Sequence, residues 1–358
     1  MEKWALDTPA LLLDLDRLEA NIARIVSRCR ECGIAWRPHI KGNKTPAIAH
    51  KLLSAGAIGI TCAKLGEAEI MAAAGIRDIL IANQVVGDLK IARLAHLQRH
   101  ADVMVAVDHP IHIQAISEAA RAVGVDVRVL VEIDIGMRRC GVQPGRPALE
   151  LGHQAHAAPG VRFAGIMGYE GHAMMLPDNE KKPACAEAIG LLAETRAQLE
   201  ASGLEVGIVS AGGTGTLAFT PACPGLTEIQ AGGGIMMDTL YSGGMYVEGL
   251  EHALSVLTTV VSHPAPDRAF IDAGRKTTNA EYSLPRVMEK AGVTVTGLSA
   301  EHGYLRLEGP GASLQIGEKI ELISGYSDLT VCLHDRIHGI RNDRVEVVWD
   351  ILGRGKLQ

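Results

Sequence analysis

The chain has no run approaching the roughly 18 to 20 uninterrupted apolar residues that a bilayer span needs, which argues against a membrane protein. It also lacks a basic stripe. Its 35 Lys and Arg are scattered among 41 Asp and Glu for a net charge of −6, so the footprint needed to hold a phosphate backbone is missing and nucleic acid is not an expected partner. No basic-then-apolar leader opens the sequence: Met1-Glu2-Lys3-Trp4 runs straight into a patterned strand and helix, as expected of a cytoplasmic protein. Seven cysteines are an odd set with no repeated spacing, unlike a disulfide scaffold or a zinc site. One C-x-x-C pair, Cys29 and Cys32, lies inside an amphipathic helix pattern with no second pair nearby. It reads as two ordinary thiols on a helix rather than a redox or metal motif.

What is present is a chain of 358 residues, long enough for one large α/β domain or two unequal ones. From Pro9 to about Tyr241, short apolar runs alternate with helix-period segments, the signature of repeated βα units around a parallel sheet. The expected strands are 10–14, 35–40, 58–62, 78–82, 103–107, 127–133, 162–168, 206–210 and 228–230. Helices are expected over 15–32, 46–55, 66–74, 111–123 and 184–202, several ended by glycine (Gly33, Gly56, Gly75, Gly124, Gly203). The unit length fits a (β/α)8 TIM barrel better than an open doubly wound sheet, although periodicity alone does not separate the two. After about Leu250 long helical segments become scarce and strands joined by Gly, Pro and Asp turns take over. The expected division is therefore a barrel over 9–250 and a C-terminal β-rich domain over 251–358, which residues 1–8 join.

Five segments carry chemistry. Trp36-Arg37-Pro38-His39-Ile40-Lys41 ends an expected strand, and in a parallel barrel strand C-termini face the active site. A lysine partly desolvated there loses its ammonium form more readily, and the neutral amine is the nucleophile that condenses with an aldehyde. The competing reading is a solvated lysine at a surface strand end. Ser210-Ala211-Gly212-Gly213-Thr214-Gly215-Thr216 and Ala231-Gly232-Gly233-Gly234 follow two late strands. Glycines let backbone N–H groups approach an anion, so Gly213, Thr214, Gly233 and Gly234 suit a phosphate; tight turns without a ligand remain the alternative. Neither segment is a Walker loop or a dinucleotide fingerprint. Glu132 to Gly141 ends another strand, with Arg139 a candidate contact to a ring oxygen and Asp134 a candidate loop organiser. Gly168-Tyr169-Glu170-Gly171-His172 ends the next, where Tyr169 can touch a ring or phosphate and His172 can act as a base near neutral pH, or be structural.

Taken in order, these segments resemble the D-threonine aldolase and D-serine dehydratase family, which shares the alanine-racemase-like fold. The match runs nearly end to end. It includes an early Thr-Pro-x-Leu-x-Leu-Asp strand from Thr8 to Asp14, Arg-Pro-His-x-Lys, Gly-x-x-Arg-Cys-Gly, Gly-Tyr-Glu-Gly, Gly-Gly-Thr-Gly, Glu301-His302-Gly303 and a closing Val-x-Leu-His-Asp. The resemblance implies a pyridoxal 5′-phosphate enzyme and a homodimer. It also implies Lys41 as the Schiff-base lysine, Arg139 at the cofactor's phenolic oxygen, Tyr169 against the cofactor, and Gly213, Thr214, Gly233 and Gly234 as the phosphate cradle.

One segment departs from the family. Where its members show His-x-Cys or His-x-Asp, a pair that binds a divalent metal such as manganese or magnesium, this chain has Tyr326 and Asp328. Asp328 matches the carboxylate ligand, while a neutral tyrosine is a weak ligand beside imidazole. Dehydration, which needs Lewis-acid help for hydroxide departure, is hurt most by that change. Retro-aldol cleavage needs only a base for the β-hydroxyl, and His172, Tyr326 or a water held by Asp328 can serve. The expected function is thus a lyase that cleaves D-configured β-hydroxy amino acids to glycine and an aldehyde. An amino-acid racemase or epimerase, a D-serine or 3-hydroxyaspartate dehydratase, and a non-catalytic cofactor carrier are the alternatives.

Overall fold

The apolar runs of the first two thirds of the chain become short parallel strands, buried on both faces and so without the alternation that turns one face to water. The computed structural model describes residues 1–358. Numbered along the chain from β1 (Ala10–Asp14), the strands continue as β2 (Ala35–Trp36), β3 (Ile60–Cys62), β4 (Asp78–Gln84), β5 (Asp102–Val107), β6 (Val127–Glu132), β7 (Val161–Met167), β8 (Ile208–Ala211) and β9 (Glu228–Ile229). Strands β2 to β9 form one sheet in the order β2-β9-β8-β7-β6-β5-β4-β3. A parallel bridge from His39 to Thr61 joins the chain just beyond β2 to β3, so the order returns to its start as a TIM-like (β/α)8 barrel. This settles the choice against the open doubly wound sheet.

Two compact units interleave along the sequence: Met1–Arg24, Gly42–Thr45 and Gly233–Arg354 make one, and Ile25–Lys41, Pro46–Gly232 and Gly355–Gln358 the other. The second unit contains the barrel. Its interior is lined by Leu80, Met104, Ala106, Leu130 and Met167 from four successive strands. The fully buried Arg37 bonds both oxygens of the equally buried Glu228 at 2.9 and 3.0 Å and reaches Asp78 at 2.7 Å, so its charge is neutralised inside the barrel wall. The outer helices are α2 (Pro46–Ser54), α3 (Leu65–Ala73), α4 (Asp88–Leu97), α5 (Pro110–Val123), α6 (Arg146–Ala157) and α7 (Asp178–Ala201), after α1 (Leu15–Glu31). No helix is long and apolar enough to cross a membrane.

The first unit holds a nine-stranded sheet. To β1 it adds β10 (Leu254–Ala265), β11 (Arg268–Ile271), β12 (Arg286–Val287), β13 (Val293–Leu298), β14 (Gly303–Leu307), β15 (Lys319–Ile323), β16 (Arg336–Arg341) and β17 (Arg344–Asp350). The path runs β13-β14-β11-β10-β1-β16-β17, with β15 on β10 and β12 on β15. One expectation is corrected here: the strand at 10–14 is not a barrel strand. It pairs antiparallel with β10 and parallel with β16. Its leucines are buried on both faces, and such a run fits either sheet, so local pattern cannot assign its partner. The segment before it follows it into this unit: the Lys3 amide donates to the Asp343 carbonyl at 2.8 Å, and the Val345 amide to that of Met1 at 2.9 Å. All seven cysteines are free, and burial together with the nearby Cys32 pushes the Cys29 thiol up to about 11, which disfavours a thiolate at Cys29.

Candidate active site

In the barrel unit, Lys41 lies two residues beyond the His39 bridge, at the C-terminal end of the β2 segment, and its amide faces the His39 ring Nδ1 at 3.3 Å. The lysine side chain is exposed, so protein packing does not supply the partial burial expected of it. Beyond β6, the Arg139 guanidinium comes within 3.8 Å of the buried Glu132 carboxylate. It also lies 5.7 Å from the centroid of the Tyr169 ring. Burial pushes the Glu132 carboxyl up, against the pull of Gln84, which donates to it at 2.5 Å, and of Arg139. Asp134 orders the following loop: its Oδ1 accepts from the amides of Gly136 at 3.1 Å and Arg138 at 2.9 Å, and Arg138 sits at a left-handed φ of 54°. Burial raises the Asp134 carboxyl, but those amides and Gln143 hold it below the usual carboxylate range. His172 is exposed in a single 3-10 turn, Gly171–Ala173, and packs on this loop; a Cβ on Gly136 would lie 2.7 Å from its Cε1.

After β7 and β8, Tyr169 and Gly213 meet. A Cβ on Gly213 would lie 3.1 Å from Tyr169 Cε2, so the close approach of ring and turn favours glycine. Glu170, which the sequence offers only as one letter of a motif, is fully buried and accepts hydrogen bonds from Thr216 Oγ1 and Thr220 Oγ1, both at 2.6 Å. A single acid between a tyrosine and a glycine gives no sign that it turns inward.

In the other unit, Gly233 opens a 3-10 turn, Gly233–Ile235, and a Cβ there would overlap the Tyr241 hydroxyl. Tyr326 donates its phenol proton to Asp328 Oδ2 at 3.0 Å. Two more tyrosines meet the Tyr326 ring edge-on, Tyr282 at 5.5 Å and Tyr241 at 6.4 Å between centroids. The Asp328 carboxylate packs against the backbone of Gly42, the residue after Lys41, where a Cβ would overlap it. Glu301 makes an exposed ion pair with Lys276 at 2.7 Å, an ordinary surface role.

A second buried acid escaped the sequence. Asp238 takes the Tyr241 amide at 2.8 Å and the Ser327 amide at 2.7 Å, tying the turn after Gly233 to the Tyr326 segment. Burial pushes its carboxyl up to about 6, and the nearby Asp328 charge adds to the rise, against the pull of the two amides. The folded state therefore holds this proton more tightly than the unfolded chain does. The stability so gained is full below the ordinary value of 3.8 and is lost as pH rises through about 6. In urea titrations from pH 4 to 7, Asp238→Asn is expected to be less stable than the parent at acid pH and to close that gap as pH rises. A constant gap would show that Asp238 does not titrate in this window.

Within the barrel unit, an exposed lysine at one strand end and a tightly packed glycine turn at another suit a flat aldehyde bearing a phosphate. No group of three or more His, Cys, Asp or Glu is placed to hold a divalent ion, and the phenol beside Asp328 donates to that carboxylate.

The family description "Alanine racemase, N-terminal domain" matches residues 13–239, and "Putative serine dehydratase domain" matches residues 253–340. The chain is 40% identical to a D-threonine aldolase of Arthrobacter sp over 98% of its own length and 93% of the relative's. It is 37% identical to a 3-hydroxy-D-aspartate aldolase of Paracoccus denitrificans over 99% and 94%. Among solved structures it superposes on a D-threonine aldolase from Filomicrobium marinum with a TM-score of 0.96 at 38% identity, covering 99% of this chain and 97% of that one.

Proposed function

We propose that this chain, which belongs to the family of the alanine racemase N-terminal domain, is a pyridoxal-phosphate-dependent lyase that cleaves the Cα–Cβ bond of D-configured β-hydroxy amino acids to glycine and an aldehyde. The observation that carries this reading is full-length similarity, at 40% and 37% identity, to two aldolases of such substrates. When bound, pyridoxal phosphate supplies an electron sink for the pair left at Cα as the bond breaks.

The chain's own residues do the rest. Lys41, an exposed residue, would hold the cofactor covalently through its side-chain amine. Thr214 in one turn, beside a Gly213 whose own amide is turned to Thr216 Oγ1 and whose part is to let the phosphate come close, and Gly233 and Gly234 in another would offer donors to that phosphate. Arg139, held by Glu132 and laid over the Tyr169 ring, presents a cation to the phenolic oxygen. Tyr326 is the base for the substrate's β-hydroxyl: its phenol donates to Asp328, so as the aldehyde forms the phenol oxygen can take the proton of the β-oxygen while it gives its own to that carboxylate. His172, packed on the loop ordered by Asp134, is assigned to shielding that loop. No step is routed through a divalent ion, because the donors around Asp328 do not form a set for one. A homodimer in the cytoplasm is part of the same reading, supported by the family pattern and checked by light scattering of the purified protein.

The test is incubation of the cofactor-loaded protein with D-threonine or D-phenylserine, with and without manganese. Glycine and the matching aldehyde are expected in both conditions. Ammonia and a keto acid instead of glycine would make the protein a dehydratase. Deuterium entering Cα without carbon–carbon cleavage would make it a racemase.

A further inference from the structure

We propose that Glu170 is a positioning residue of the phosphate site, which shapes the turn at 212–220 without touching the cofactor. The proposal rests on the reading of Gly213 and Thr214 as phosphate-binding.

Three observations support it. First, Glu170 is fully buried, and both its oxygens are occupied by donors of this one turn: Oε1 by the hydroxyls of Thr216 and Thr220 at 2.6 Å each, and Oε2 by the Gly212 amide at 3.2 Å. Bonds to an ionised acceptor are the stronger kind, and a carboxylate cut off from water cannot give them up cheaply, so these donors hold the turn to one shape. Second, the Gly213 amide donates to Thr216 Oγ1 at 3.3 Å, so a chain of hydrogen bonds runs from Gly213 through Thr216 to Glu170. The orientation of the peptide next to Thr214 is thereby linked to the carboxylate. Third, the residue before Glu170 is Tyr169, whose ring closes on Gly213 so tightly that a Cβ there would be 3.1 Å away. Tyr169 and Glu170, consecutive in sequence, thus grip the same turn, one by packing and the other by charge-assisted hydrogen bonds.

A carboxylate beside an anion site is ordinarily a liability. Here both oxygens face donors of the turn, so the charge organises the backbone that binds the anion instead of facing the anion itself.

The experiment separates phosphate positioning from general folding by comparing pyridoxal phosphate with pyridoxal, which has the same aldehyde and ring and lacks the phosphate. Apoprotein is titrated with each, and the Lys41 adduct is followed by absorbance and by borohydride trapping. Glu170→Gln and Thr216→Val are expected to weaken pyridoxal phosphate by about 10- to 100-fold while leaving pyridoxal within about threefold of the parent. Thr216→Ser, which keeps the hydroxyl, is expected to bind both like the parent. Equal weakening of the two aldehydes, or no weakening of either, would overturn the role assigned to Glu170. Should Glu170→Gln fail to fold, Thr216→Val decides, since it breaks the same chain of bonds without altering a charge. Failure of the parent protein to form a trapped adduct at all would overturn the cofactor reading, and this proposal with it.

Discussion

Lys41→Ala is expected to fold like the parent, to bind no cofactor covalently, and to lose at least roughly 1,000-fold in glycine release. The side chain is exposed, so removing it opens no cavity, and the thermal midpoint should move little. Lys41→Arg is expected to be as inactive as the alanine variant, because a guanidinium stays protonated and cannot attack an aldehyde. The check is borohydride trapping followed by peptide mapping, run beside the activity assay. The nearest rival in sequence is Lys44, which is buried, holds a left-handed φ of 51° and accepts the Gly353 amide at its carbonyl. A trapped adduct on Lys44 in the parent, or one that survives in Lys41→Ala, would move the attachment point and overturn the role given to Lys41.

The barrel was legible in the sequence because its strands are short aliphatic runs spaced by helices, and burial on both faces leaves a continuous apolar signature. The expected strands at 78–82, 103–107 and 127–133 differ from β4, β5 and β6 by two residues or fewer at either end. The strand at 10–14 was legible as a strand but not as a member of the second sheet, since pairing with β10 and β16 is decided some 240 and 325 residues downstream. Helix α7 starts six residues before the expected 184, with Pro183 inside it. A proline removes one N–H and crowds the carbonyl four residues back, so the sequence argues for a start after Pro183; near the N-terminal end of a 24-residue helix the remaining turns outweigh that cost. Lys41, Gly213 and Gly233 stood out because their neighbours are chemically unusual. Glu170 and Asp238 did not, because an acid that turns inward to cap a loop looks, in sequence, like any acid on a surface. Asp134 was legible both as a candidate and as a loop organiser, which is the role its bonds to Gly136 and Arg138 give it.

The base is where the expected effects divide most sharply. Tyr326→Phe removes one oxygen and keeps the ring that Tyr241 and Tyr282 pack against edge-on, so the fold and the cofactor spectrum should be retained. If Tyr326 and Asp328 together take the proton of the β-hydroxyl, kcat should fall by roughly 10²- to 10⁴-fold with little change in KM, since the lost interaction acts only as the proton moves. Asp328→Asn should follow in the same direction, because the phenol then faces a neutral amide in place of a carboxylate. His172→Asn, by contrast, should change kcat by less than about tenfold, as expected of a side chain that covers a loop without exchanging a proton. The measurement is steady-state cleavage of D-phenylserine by the three variants, each first shown to trap cofactor at Lys41. A full loss in His172→Asn with Tyr326→Phe near the parent would transfer the base to the histidine. Loss in all three, each recovered by added manganese, would mean that an ion does bind beside Asp328 and that the tyrosine is one of its neighbours.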